Sequence, residues 1–545
     1  MIKSYEKFRD AKAKTGMSQH CILSNGMAQQ LSFAAILLDG KGDDDDDDDD
    51  GDDDSDDKED ADDKVAEDKD AEEKDDDDKD ADDKAADEDG KEEDKEADKD
   101  GEKKEKTEAE KKKEAADVAK RRAALLEKMI MQGLKEVAMH EVGHTLGLRH
   151  NFKASKFRTL EEANDPKLAA EGMVASVMDY VPANVVPKGK KQGDFFPQTI
   201  GPYDIWAIQY GYTPMSGGTT GEKASLLKIA ARSGEAGHAY ATDEDTTSYS
   251  PDPDSNRFDF GQDPLKFANQ QATLVQEAMD NLVDRVVKDG DDYTKARRAF
   301  NILLSKHGQA MFFVSRYIGG LKTSRSHKGD KDGKLPFEPV DVKMQRDAMK
   351  MLEEQVFSDA PYNVDPAIYN HLGPNNWSHW GTSRTTRPDF PIHDYINMWQ
   401  DRVLTQLLSY NNLDRMHDTE LKIPADEDAF TTAELIERLT DAIFSEVNTV
   451  KKGDYTNRKP AISSLRRNLQ RTYMKSLSNV ALGNGFVPQD AQTVAYYELG
   501  DLQAKINKMV KNKNLGLDTY TKAHLKETSA RIKKVLEADL TISRP

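Results

Sequence analysis

Apolar residues along this chain recur mostly at helical spacing, and one long stretch has almost none. Near the start, Leu31, Ala34, Ala35 and Leu38 share one face of a helix predicted over residues 27–38, which Gly40 then stops. A longer helix is predicted over about residues 115–146. Its apolar face is Leu125, Leu126, Met129, Ile130, Leu134, Val137 and Ala138, with Gly133 as a candidate break. Beyond residue 215 a loop-rich region gives way to more helices. Ile396, Trp399, Val403 and Leu407 line one face; Ile462, Leu465, Leu469 and Tyr473 line another. Thr431 and Glu434 read as a capping box, with Phe430 and Leu435 placed as a hydrophobic staple. Ile436, Leu439, Ile443 and Val447 follow as a buried stripe, and residues 496–540 read as helical and basic. The expected fold class is mainly α.

Charge divides the chain sharply. Residues 41–110 hold 42 Asp and Glu and 13 Lys, a net of −29, whereas the rest holds 60 acids and 65 bases, a net of +5. The tract has no aromatic residue, so it cannot bury enough apolar area to offset its ordering entropy, and residues 43–100 are expected to be disordered. Such a tract is either a solvated loop insertion or an acidic docking or cation-collecting tail. The remainder shows no basic stripe, which argues against a nucleic-acid-binding protein. No apolar run approaches the ~18 residues of a membrane span. A single cysteine, Cys21, excludes an intrachain disulfide framework; a small buried residue is its default reading. The N-terminus as given has no apolar signal-type core.

The chemistry concentrates at His140-Glu-Val-Gly-His-Thr-Leu-Gly-Leu-Arg-His150. His140 and His144 are four apart, so they stack on one helix face as neutral imidazole ligands for zinc. Glu141 is placed as a general base. Gly147 permits a sharp turn with φ > 0, which brings His150 round as a third ligand. Three nitrogen ligands leave a fourth position open, the mark of a catalytic rather than a structural site. A loose group, Asp243, Glu244, Asp245, Asp252, Asp254, Asp259 and Asp263, is carboxylate-rich. It suits Ca²⁺ chemistry, although without EF-hand spacing; turn-forming and capping aspartates are the alternative. The aromatic and polar stretch 375–380 fits either a cleft wall or ordinary loop packing.

The eleven-residue string resembles the zinc signature of the metzincin clan of metallopeptidases. Ser176-Val-Met-Asp-Tyr180 resembles that clan's methionine turn. The resemblance implies that Met178 forms a hydrophobic floor under the imidazoles. It also implies that Tyr180 stands near the metal and stabilises the oxyanion. Residues 201–212 resemble the helix closing the lower subdomain, where Asp204 is expected to be structural. Together with Asn151-Phe-Lys-Ala-Ser155 and Phe258-Asp-Phe-Gly-Gln-Asp-Pro264, these segments resemble large bacterial zinc metalloproteases with an EcxA-like zinc-binding domain. That family implies export to the periplasm, cell envelope or exterior.

The resulting expectation has four parts: a helical remnant over 1–42, an acidic insertion over 43–110, a zinc-binding catalytic subdomain over 111–215 and a helical extension over 216–545. A metzincin catalytic domain is α+β, and its upper β-sheet subdomain is missing from the pattern here. A preceding region of a longer protein or a partner chain is expected to supply it. The first functional reading is a zinc endopeptidase acting on a protein or peptide substrate. The second is a zinc-stabilised helical binding or scaffold protein. A zinc hydrolase acting on another amide is a third.

Overall fold

The structure, a computed structural model, describes residues 23–38, 107–247, 249–375 and 387–538. Cys21, the acidic stretch 43–100 and most of 375–380 lie outside the described residues.

Among the described residues two helices come first: α1, Leu23–Leu38, and α2, Glu108–Thr145. α2 starts earlier than the apolar pattern alone suggests because Thr107 caps it. The Thr107 hydroxyl accepts from the Glu110 amide at 3.3 Å, and the Glu110 carboxylate accepts from the Thr107 amide at 2.7 Å. Gly133 does not break α2. An added Cβ there would meet Phe196 at 3.3 Å and the Met27 sulfur at 3.4 Å, so the glycine lets α1 approach closely.

The expected apolar face of α2 is divided. Met129 is buried, and Leu125, Leu126 and Val137 pack against the core partly buried. Ile130, Leu134 and Val142 are instead 46%, 60% and 55% exposed. With Ala138 they recur every four residues, an apolar stripe on the outer face.

Further helices of this half include α3, Pro202–Tyr212; α4, Pro264–Met279; and α5, Thr294–Ser315. α1 packs on α2, α4 and α5. Their common core gathers Leu23, Phe33, Phe196, Phe260, Leu274 and Phe300. Each such side chain contributes on the order of 1.5–3 kcal/mol on burial. The two flanks of the acidic tract therefore share one core.

Among the described residues the strands are β1, Leu321–Thr323, and β2, Phe337–Pro339, antiparallel with Lys322 opposite Glu338. The fold is mainly α, as the pattern predicts, and no upper sheet is present among the described residues.

The C-terminal half includes α6, Val342–Gln355; α7, Ile392–Leu407; α8, Thr432–Ile443; α9, Ser464–Ala481; α10, Gln489–Lys511; and α11, Thr519–Leu536. α7 bridges α5 and α9; α10 packs on α8, α9 and α11. The predicted stripes are buried: Val403, Leu407, Ile436, Leu439, Ile443, Leu469 and Tyr473 in the core of this half, and Ile396 in the core shared with α1 and α5. The capping box is only half formed. The Thr431 hydroxyl accepts from the Glu434 amide at 3.2 Å, but the Glu434 carboxylate turns outward to Arg346 at 2.9 Å. A bidentate guanidinium partner outcompetes the single backbone amide. No helix among the described residues is long and apolar enough to cross a membrane.

Candidate metal centre

His140 and His144 stand on the last turn and a half of α2, facing the same side. The helix then ends: the amides of Leu146 and Gly147 turn back to Val142, Gly143 and His144 carbonyls. Gly147 has φ = +86°, and nothing lies within 4 Å of where its Cβ would be. Its requirement is therefore one of backbone conformation and not of space. The turn brings His150 back toward the other two. The ligand atoms of His140, His144 and His150 all lie within 4.8 Å of one another. Among the described residues this is the group fit to hold a metal ion.

The outer nitrogen of each imidazole is held by an oxygen. His140 Nδ1 lies 2.7 Å from the Val177 carbonyl, and His144 Nδ1 lies 3.0 Å from the Leu148 carbonyl. His150 Nδ1 lies 2.7 Å from Asp243 Oδ2. Carbonyls and carboxylates only accept, so each Nδ1 carries the proton and each Nε2 keeps its lone pair. Burial lowers the His140 pKa to about 3, against the opposing hydrogen bond to Val177, and neighbouring His144 and His150 lower it further. Burial also lowers that of His150, although Asp243 opposes it. Three imidazoles so held and grouped fit a zinc ion.

Below the ring of histidines lies Met178, fully buried. Its sulfur occupies the space where a side chain on Gly143 would begin. The third residue of the His140–His144 interval must therefore be small for the methionine to seat. Asp204, at the start of α3, pins this turn. Its carboxylate accepts from Ser176 Oγ at 2.5 Å, the Val177 amide at 2.9 Å and the Gly201 amide at 3.0 Å. That is the structural role expected of it.

Tyr180 is buried, and its hydroxyl lies 3.0 Å from His150 Nε2. The Phe258 amide donates to the Tyr180 carbonyl at 2.7 Å, and their rings stand 5.6 Å apart. Phe258 holds φ = +67°, a costly conformation for a bulky residue beside the site. Glu141 is exposed, next to buried His140.

Asp243, Asn151 and Gly143 escaped the sequence reading as parts of the centre. Asn151 is buried and stitches three segments. Its amide donates to the Met178 carbonyl at 3.0 Å, its side-chain nitrogen to the Ala239 carbonyl at 3.0 Å, and its Oδ1 accepts from the Ala241 amide at 3.1 Å. Those bonds bring Asp243 to His150, 93 positions away in sequence. Nothing local to Asp243 marks it; only its place in a carboxylate-rich loop drew notice.

The calcium expectation finds no support, because the carboxylates disperse to separate partners. Asp243 meets His150 and Arg257; Glu244 meets Arg149; Asp245 meets Arg325. Asp252 meets Lys153, Asp254 meets Lys322, Asp259 meets Lys156, and Asp263 caps α4.

A helix carrying two histidines, a glycine turn to a third and a methionine turn beneath define a metzincin-type zinc centre. A family model described as Met-zincin matches residues 122–451, more than half of the chain, and the chain belongs to that family. No curated protein and no solved structure matches it.

Proposed function

We propose that this chain is a zinc-dependent metalloendopeptidase in which His140, His144 and His150 hold the ion. The observation carrying the reading is the convergence of the three imidazoles with every Nδ1 tied to an oxygen acceptor. When bound, zinc supplies Lewis-acid chemistry, acidifying water and polarising a carbonyl. Glu141 takes the proton from the attacking water and passes it to the leaving amine nitrogen. Tyr180 directs its hydroxyl to the carbonyl oxygen as negative charge develops there. Met178 keeps the floor dry and the imidazoles in place.

The exposed stripe Ile130–Leu134–Ala138–Val142 supports a further part of the reading. A substrate-binding sheet, from a preceding segment of a longer protein or from a partner chain, covers that face. Without it, the second reading applies: a zinc-stabilised helical binding protein. Export and kinship with the EcxA-like enzymes rest on the shared motif strings.

The test is zinc loading of the purified chain followed by incubation with an unfolded protein. Chelator-sensitive cleavage restored by added zinc supports the peptidase. One bound zinc without cleavage favours the binding protein.

A further inference from the structure

A cavity of about 620 Å³ opens between α1, α5 and α7. Among the described residues its lining contains Arg257, Lys306, Arg316 and Arg402 and no Asp or Glu. Arg316 is committed to the Asp252 and Ser255 carbonyls at 2.8 and 2.7 Å. Lys306 and Arg402 are less satisfied. Buried Lys306 donates to the neutral Gln30 Oε1 at 2.6 Å and forms no ion pair among the described residues. Burial lowers its pKa to about 7. Exposed Arg402 stacks on Phe312 and Trp399, at 4.8 and 5.4 Å, with no carboxylate beside it among the described residues. Four lining residues carry a buried polar atom without a partner among the described residues: Arg257 Nε, Trp399 Nε1, Ser255 Oγ and Asn301 Oδ1.

Unpaired polar atoms of this kind are uncommon in a folded interior, and each one left unmade costs free energy. Here they belong to residues that line one cavity, together with Lys306 and Arg402, which have no carboxylate partner among the described residues. One guanidinium links the cavity to the zinc ligands: Arg257 donates to Asp243 Oδ1 at 2.9 Å, and Asp243 Oδ2 holds His150.

We propose that this cavity binds an acidic side chain of a peptide, its carboxylate between Lys306, Arg402 and Arg257. The proposal deepens the peptidase reading and rests on it for the ligand's being a substrate. The enzyme then selects peptides with Asp or Glu at a fixed distance from the cleaved bond.

The test separates binding from cleavage. Zinc-loaded full-length Glu141→Ala protein is titrated by calorimetry with an acetylated, amidated tri-glutamate peptide, with its tri-glutamine counterpart and with inorganic phosphate. The glutamate peptide binds at least about tenfold tighter than the glutamine peptide, and Lys306→Gln and Arg402→Gln each remove most of that preference. Arg402 is exposed, so its variant folds even if the Lys306 variant does not. Equal affinity for the two peptides, or a preference untouched by Arg402→Gln, overturns the proposal. So does phosphate binding with no discrimination between the peptides. Cleavage of Glu- over Gln-containing substrates by the unmutated enzyme is read separately. If no substrate of either kind is cleaved while the binding preference persists, the peptidase reading fails and the acidic-peptide site stands.

Discussion

Asp243 holds His150 from across 93 residues of sequence: its Oδ2 lies 2.7 Å from His150 Nδ1, and its Oδ1 takes a hydrogen bond from Arg257 at 2.9 Å. A carboxylate behind a ligand histidine fixes the tautomer and raises the basicity of the metal-facing nitrogen. Losing such a partner costs about 10–100-fold in metal affinity. Asp243→Ala is expected to weaken zinc binding by that factor in a competitive-chelator titration. Asp243→Asn, which keeps an acceptor oxygen, recovers part of it. A packing role alone would give both variants the same affinity.

Gly147 tests the turn to the third ligand. A Cβ at φ = +86° costs about 1–2 kcal/mol. Gly147→Ala is expected to lose that much stability in urea denaturation and to weaken zinc binding as well. Gly290 provides the control, because it has φ = +89° and equally open surroundings, away from the centre. Gly290→Ala pays a similar backbone cost and keeps its zinc.

Tyr180 separates floor from chemistry. Tyr180→Phe keeps the buried ring and removes only the hydroxyl beside His150 Nε2. The expected loss is about 10²–10³ in kcat, with zinc affinity little changed. Full activity in that variant would assign the tyrosine to packing.

His524 sets part of the acid sensitivity of the C-terminal half. Its Nε2 lies 2.7 Å from Gln470 Oε1, and burial is the chief cause that lowers its pKa to about 4. The unfolded side chain titrates near 6.5. Above that value both states are neutral and the residue adds no pH dependence. As pH falls from about 6.5 to about 4, the unfolded chain binds a proton that the folded chain does not, so stability falls. Across that window His524→Gln is expected to flatten the decline of the urea midpoint with pH. An unchanged slope would place the acid sensitivity elsewhere. In the metal-free protein His140 acts in the same direction down to about pH 3.

The local parts of the centre were readable because they depend on short-range geometry. Two histidines four apart need only a helix, Gly147 needs only a left-handed turn, and Met178 and Tyr180 travel with a short string. The helical stripes of the C-terminal half were readable for the same reason. Asp243 was not, since its role depends on Asn151 drawing a distant loop to the site. Gly133 misled because a glycine that permits close helix packing looks in sequence like one that ends a helix. The face of α2 misled because apolar spacing marks which residues share a face, not whether anything covers it.

The most direct measurement compares the unmutated chain with Glu141→Ala for bound zinc and for cleavage of an unfolded protein. The account predicts one zinc per chain in both and chelator-sensitive cleavage in the unmutated chain alone. Equal cleavage by the two, or loss of zinc in the variant, would contradict the assignment of Glu141 as the base beside a three-histidine zinc site.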